Sequence, residues 1–322
     1  MTRPNRLFLY GPIAAFLLFL IGWYMLWQQG AKFMQGEIDG FAEAQTLNGL
    51  SVNYEAFSTR GFPFLLRGNV ADVAIKGATF DFTTDDLFID VLPYDLKRLV
   101  FSLGGEQKIT TSDTEFRLTS DDLRSSIERT QGDRWLFKAE GRGVALATGE
   151  DRPMANLDAF LVNTRPTDLQ ADLIETSLTA DAVTVDLGDR DIVLDRIEGF
   201  GTVSQAGLLH EPDAWRGARG TVDLVALSIK LGEAIVRFDG EVRLDNDNYP
   251  TGTLNAEIND PVAFAVAVQE MGLLSEREGS ALQGGLALAA MAQGGTVKGT
   301  LKMENGRATF LGLKVFDLPE VG

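Results

Sequence analysis

Val225–Asp245 reads VALSIKLGEAIVRFDGEVRLD, and its alternation decides the fold. Val225, Leu227, Ile229 and Leu231 alternate with Ala226, Ser228, Lys230 and Gly232. Val236, Phe238, Val242 and Leu244 then face one way, while Arg237, Asp239, Glu241, Arg243 and Asp245 face the other. A period of two puts successive side chains on opposite sides of a strand. One face is therefore oily and the other wet, the pattern of antiparallel sheet.

Downstream, Asn246 to Pro250 supplies turn chemistry, and Leu254, Ala256 and Ile258 resume the alternation. Asp260 followed by Pro261 reads as an N-cap with proline at the first helical position. With Gly272 as a stop, this predicts a helix over 261–271. Val297, Leu301 and Met303 then alternate with Lys298, Thr300, Lys302 and Glu304. Asn305-Gly306 is a tight turn, and Ala308, Phe310 and Leu313 return on a partner strand.

Upstream the same reading gives strands over 192–203, 178–187, 156–163 and 135–147. Between the strands, Ser120 as N-cap, Asp121 and Asp122 in the first turn, the pair Leu123 and Ile127, and Gly132 as stop predict a helix over 120–131. Earlier still, Leu87, Ile89 and Val91, then Phe80 and Phe82, then Val52, Tyr54 and Ala56 alternate with polar residues. Gly61-Phe62-Pro63-Phe64 interrupts them. That motif is either a binding lip or a turn that re-aims a strand and buries two rings, and the structural reading is favoured.

Before the first strand lies Leu7–Trp27, LFLYGPIAAFLLFLIGWYMLW, 21 residues without a charge. At roughly 1.5 Å per residue it spans about 30 Å, the thickness of a bilayer's hydrocarbon core. Arg3 and Arg6 precede it, and Trp23, Tyr24 and Trp27 sit at its far end, where amphipathic rings favour the headgroup layer. The expected arrangement is a cytoplasmic tail at 1–6, a single transmembrane anchor at 7–27 and an exported body. A cleaved signal peptide is the rival, but its apolar core is usually about 7–15 residues long and is followed by small residues. From 28 to 48, Met34, Ile38 and Phe41 recur at helical spacing, so the anchor is expected to continue as a stalk. The body, 49–322, has candidate halves at 49–150 and 151–322.

The formal net charge is −17, and both Arg3 and Arg6 lie before the apolar run, so the exported part is more acidic still. That excludes a nucleic-acid binder, whose affinity rests on Lys and Arg, and disfavours anionic lipid headgroups. There is no cysteine and a single histidine, so neither disulfides nor zinc sites of the His/Cys kind are expected. No cofactor is expected either.

The ends of the body carry a resemblance. Gly61-Phe62-Pro63-Phe64 after a first strand, and Gly306 with Phe310-Leu311-Gly312 and Leu318-Pro319, resemble the bacterial family catalogued as domain of unknown function 2125. The family pattern often places arginine directly after the aromatic motif; here Leu65 and Leu66 intervene before Arg67. The resemblance implies a Gram-negative inner-membrane protein facing the periplasm, and no activity. More distantly, an anchor followed by long β meanders is similar to AsmA-like envelope proteins, at the level of fold alone.

Candidate chemistry is sparse. His210 lies among Pro and acids with no Gly-x-Ser-x-Gly elbow to supply a nucleophile. Asp245-Asn246-Asp247-Asn248 offers alternate oxygens but lacks the glycine and bidentate glutamate of a calcium loop. Gly104-Gly105, Gly284-Gly285 and Gly294-Gly295 lack the Lys-Ser/Thr of a phosphate loop and read as turns. The pairs Asp85-Asp86 and Asp121-Asp122 carry no spacing that would make a glycosidase. The expectation is a mainly β, non-enzymatic, membrane-anchored envelope protein. Its candidate apolar groove or core face comprises Val236, Phe238, Val242, Leu244, Leu254, Ile258, Val297, Leu301, Met303 and Phe310. The expected partners are the membrane and either a lipid chain or an envelope protein; a scaffold without ligand and a carboxylate hydrolase are the alternatives.

Overall fold

The computed structural model describes residues 6–47, 49–77, 80–92, 95–111, 114–129, 135–149, 152–168, 172–209, 211–310 and 313–321. The described chain is mainly β: one long N-terminal helix, then antiparallel strands with a few short helices. It divides into two compact units, 1–118 with 124–128, and 129–322 with 119–123.

In the first unit, α1 (Arg6–Leu47) is a single helix of 42 residues, about 63 Å long at 1.5 Å per residue. Its first half is apolar all round and exposed, with Phe16, Leu17, Leu18, Phe19 and Ile21 all facing outward. Beyond that, Trp27, Ala31, Met34 and Ile38 form a stripe with steps of four, three and four, and this stripe is packed against the sheet. The stretch expected as a stalk is therefore a helix whose inner face belongs to the core of the unit. Phe41, expected on the same stripe, is exposed.

The sheet beneath it is built from β1 (Ser51–Asn53), β2 (Ala56–Arg60), β3 (Leu66–Lys76), β4 (Phe80–Leu92) and β5 (Asp95–Thr111). β3 pairs with β1 over its second half and with β2 over its first, and β4 and β5 follow as neighbours. The two runs 80–82 and 87–91 are one strand. Leu66, Val91 and Leu99 are cross-strand partners and lie under the helix stripe.

β6 (Glu115–Thr119) and β7 (Asp122–Arg129) follow, and β7 occupies the segment expected as a helix over 120–131. The correction has a simple cause. A spacing of four, as between Leu123 and Ile127, also returns to the same face of a strand, because four is a multiple of two. Over so short a span the i,i+4 pair does not discriminate, and ladder pairing decides. Gly132, read as the stop, lies outside the described residues.

The second unit is an antiparallel meander: β8 (Trp135–Thr148), β9 (Arg152–Asp168), β10 (Leu173–Asp186), β11 (Asp191–Val203), β12 (Val222–Leu231), β13 (Ala234–Leu244), β14 (Pro250–Ile258), β15 (Val297–Glu304), β16 (Arg307–Phe310) and β17 (Leu313–Asp317). Each strand pairs with the next in order. A short helix, α2 (Pro212–Gly217), buries Trp215, whose indole N–H donates to the Ser204 carbonyl at 2.8 Å.

Two helices cover part of the sheet. α3 (Pro261–Glu270) is the expected helix, capped by Asp260, which accepts from the Ala263 N–H at 2.9 Å. α4 (Glu276–Gln293) was not expected, because Gly284-Gly285 read as a turn. Both glycines lie inside it, and Gly294 closes it in the left-handed conformation. Ser275 and Glu278 form a capping box at its start. Gly279 is buried where a Cβ would meet the Gln269 side chain of α3 at 2.6 Å, so glycine there allows the two helices to close on each other. Gly104-Gly105 is also no turn between elements: it lies within β5, beside a register shift against Asp86 of β4.

Candidate functional site

The register of the second unit brings the apolar positions of eight strands into two unbroken rows. One row runs Ala139, Val162, Leu178, Gly199, Leu227, Phe238, Ala256, Gly299. The next row on that face runs Gly141, Phe160, Ala180, Ile197, Ile229, Val236, Ile258, Val297. Between them lies a row of the opposite face: Glu140, Leu161, Thr179, Glu198, Ser228, Arg237, Glu257, Lys298. Only Leu161 breaks its polarity. Along these two rows pleat alternation keeps one side of the sheet apolar from β8 to β15.

The two ends of this face differ. Near β13 to β15 it is sealed: Leu231, Val236, Ile258 and Val297 form a buried cluster with Ala265 of α3 and Leu286 of α4. A second cluster joins Leu254, Leu301, Met303 and Ala308, with Phe238, Val242, Phe310 and Leu318 at its margin. Of the residues singled out in the sequence, Val236, Ile258, Val297, Leu254, Leu301 and Met303 are thus fully inside these clusters, and Phe238, Val242 and Phe310 lie against them. Leu244 is half-buried at the hairpin end, opposite Pro250. Near β8 to β11 the face continues through Phe160, Val162, Leu178 and Ile197, which are only half-buried and belong to none of the three buried clusters. These four were not among the sequence candidates. Their strands were read correctly, but which strand's apolar side aligns with which depends on register.

A second arrangement sits in the first unit, around the aromatic motif. Gly61 adopts φ 101, and a Cβ there would meet the Leu65 carbonyl oxygen at 2.6 Å, so only glycine suits the turn. The turn lies against α1. The Trp23 indole N–H donates to the Pro63 carbonyl at 2.8 Å, and the Trp27 indole N–H to the Leu65 carbonyl at 3.0 Å. The Phe62 ring meets Tyr24 edge-on at 5.4 Å and Trp27 at 6.0 Å. The motif and the aromatic belt of the helix, read as separate features of the sequence, are one clasp. Neither ring of the motif is buried, contrary to the expectation of a turn that buries two: Phe62 stays partly exposed against the helix, and Phe64 faces outward, 77% exposed.

Arg67, just past the turn, makes a two-pronged pair with Asp90 at 2.6 Å on each arm and lies over the Phe88 ring at 5.6 Å. The hydrogen bonds to Asp90 hold its guanidinium above its usual range. Of the other membrane-interface residues, Arg3 lies outside the described residues, as does the side chain of Arg6.

The remaining candidates have structural roles. Asp245 Oδ1 accepts from the backbone N–H groups of Asp247 and Tyr249 at 2.9 and 3.0 Å, which closes an Asx turn. Arg216 reaches the Asn246 carbonyl at 2.8 Å and Asn248 Oδ1 at 2.5 Å, so a guanidinium occupies the oxygen-rich side of that turn. Asp85 accepts from the Glu106 N–H at 3.2 Å beside Gly105. The Asp121 N–H donates to the Arg142 carbonyl at 3.0 Å. His210 lies outside the described residues. Among the described residues no group of three or more His, Cys, Asp and Glu is placed to hold a metal ion.

A long apolar helix clasped by the strands of the first unit, and an antiparallel meander in the second, define a mainly β protein; among the described residues one helix is long and apolar enough to cross a membrane, a property an anchor shares with a signal sequence. The chain belongs to the bacterial family described as "Uncharacterized protein conserved in bacteria (DUF2125)", whose profile matches residues 27–319. No curated protein and no solved structure is similar enough to match it.

Proposed function

We propose that this is a non-enzymatic protein of the bacterial envelope, held in the inner membrane by an uncleaved α1, that seats an acyl chain on the half-buried part of its apolar sheet face. The observation that carries the reading is the pair of apolar rows. They run on from the sealed core at β13 to β15 into the half-buried stretch Phe160, Val162, Leu178 and Ile197. From β8 to β11 there are three inter-strand gaps, about 14 Å. That is close to the ~15 Å depth of one leaflet's chains, half the hydrocarbon core. An apolar concavity with few polar guides is the usual seat of such a ligand.

Retention of the anchor is supported by the clasp. Trp23 and Trp27 both donate to the sheet turn, and Trp27 is buried in the first unit's core, so processing near them would strip packed side chains from the body. Arg3 and Arg6 ahead of the span support a cytoplasmic N-terminus and a periplasmic body.

The test is native mass spectrometry of full-length protein extracted gently from membranes. The expected result is a population carrying phospholipid or fatty acid, lost in Leu178→Asp. Wild-type protein that is always lipid-free contradicts the acyl-chain reading, and co-purification of an envelope protein in its place would favour a scaffold.

A further inference from the structure

The clasp has an unused face, and resting on the reading of α1 as a membrane anchor we infer that the Gly61–Leu65 turn is a second membrane contact, inserting Phe64 into the interfacial layer of the phospholipid bilayer beside the helix. The level of the turn along α1 is fixed by two hydrogen bonds, Trp23 to Pro63 and Trp27 to Leu65. The two donors are four residues apart, so the turn runs alongside about 6 Å of helix. On α1 the charge-free stretch does not end there. Gln28, Gln29, Gly30 and Ala31 follow, and the first charged residue is Lys32. That is about 7.5 Å beyond Trp27 along the axis. The outward side chains at the level of the turn, Tyr24, Met25 and Leu26, are exposed and lack charge. Trp27 is turned into the core of the unit, so a bilayer boundary marked by Trp23 and the exposed Tyr24 passes through the turn.

The turn's own composition agrees. Residues 61–66, GFPFLL, carry no charge, and the residues flanking them, Arg60 and Arg67, are cross-strand partners. Leu66 is buried under the helix and Phe62 packs on Tyr24 and Trp27, which leaves Phe64 as the ring presented outward. An apolar tip whose base carries Arg60, with the Arg67 charge matched by Asp90, suits the zone between hydrocarbon and phosphates, where the tip enters the oil and the polar base stays at headgroup level. With one helix alone, the body would be free to swivel about the anchor. A ring inserted off the helix axis fixes which side of the first sheet faces the membrane.

The chain has no cysteine, so single labels are straightforward. Full-length Phe64→Cys, Phe19→Cys and Asn53→Cys proteins, each carrying a bimane label, are reconstituted into phosphatidylcholine/phosphatidylethanolamine vesicles with and without doxyl-labelled phosphatidylcholine. Phe19 samples the span. Asn53 is exposed, and its neighbour Tyr54 is hydrogen-bonded to Asp39, well up the helix. The expected result is several-fold quenching at positions 19 and 64 and none at 53. Quenching at 19 with position 64 no more quenched than 53 overturns the inference and leaves the anchor intact. An unquenched label at 19 overturns the anchor and, with it, the inference.

Discussion

The indole N–H of Trp27 donates to the carbonyl of Leu65 at 3.0 Å, tying the end of the apolar helix to the turn that opens β3. The ring is buried among Ala31, Met34, Leu66 and Val91, so the bond forms in a place where water does not substitute for it. Trp27→Phe keeps most of the packing and orphans the Leu65 oxygen, which should cost about 1–3 kcal/mol. Trp27→Ala loses the ring as well and should cost about 3–5 kcal/mol. Thermal unfolding of the full chain in detergent measures both. Equal losses from the two substitutions would mean that packing contributes nothing beyond the hydrogen bond.

Gly68 of β3 lies directly beneath Met34 of α1. A Cβ there would lie 2.7 Å from Met34 Sδ and 2.9 Å from the Phe57 ring. Gly68→Ala should therefore destabilise the first unit by about 1–3 kcal/mol, the usual cost of overpacking. In a Met34→Ala background the added methyl has more room, so the two substitutions should cost less together than the sum of their separate effects. Strict additivity would show that helix and sheet do not meet there.

Leu286 of α4 is buried against Val236, Ile258 and Val297. Leu286→Ala should cost about 2–5 kcal/mol, with the spread set by how far the helix collapses into the gap. Chemical denaturation followed by circular dichroism gives the number. A change within about 0.5 kcal/mol, ordinary for a surface site, would mean that α4 does not seal this end of the sheet.

Tyr54 donates its hydroxyl hydrogen to the Asp39 carboxylate, a latch between β1's end and α1. That hydrogen bond, then slight burial and the Asp39 charge, raise its pKa above the ordinary 10.0. A raised pKa in the folded state means that the contribution is fully present below pH 10 and is lost as pH rises through the raised value. Alkaline absorbance titration should show a late tyrosine ionisation that is missing from Tyr54→Phe. Titration of Tyr54 at or below its ordinary value would break the latch assignment.

What the sequence made legible follows from how local each signal is. Alternation in β13 to β15 and the Asp260-Pro261 start of α3 are contained in adjacent residues, and both appear in the structure as read, whereas in β12 a bulge leaves Val225 exposed and puts Leu224 against the core, a shift that only the ladder reveals. The pair Leu123 and Ile127 was ambiguous because a spacing of four fits both periods, and the ladder chose strand. α4 carries a capping box in Ser275 and Glu278, but Gly284-Gly285 in its interior read as a turn. Gly279 is there because α3 passes close by, a fact of packing rather than of local sequence. The clasp between Trp23 and Pro63 joins residues 40 apart. Each half was visible as an aromatic cluster; only the fold brings them together.

The proposed acyl chain lies on one side of the β8–β11 sheet and not on the other. Leu178 lies in an apolar row and Thr179, its neighbour, in the polar one. Photo-crosslinking in intact cells with p-benzoylphenylalanine placed at 178 or at 179 reads the two faces separately. A lipid adduct at 178 and none at 179 is the predicted result; no adduct at 178, or equal yields at both positions, would contradict it.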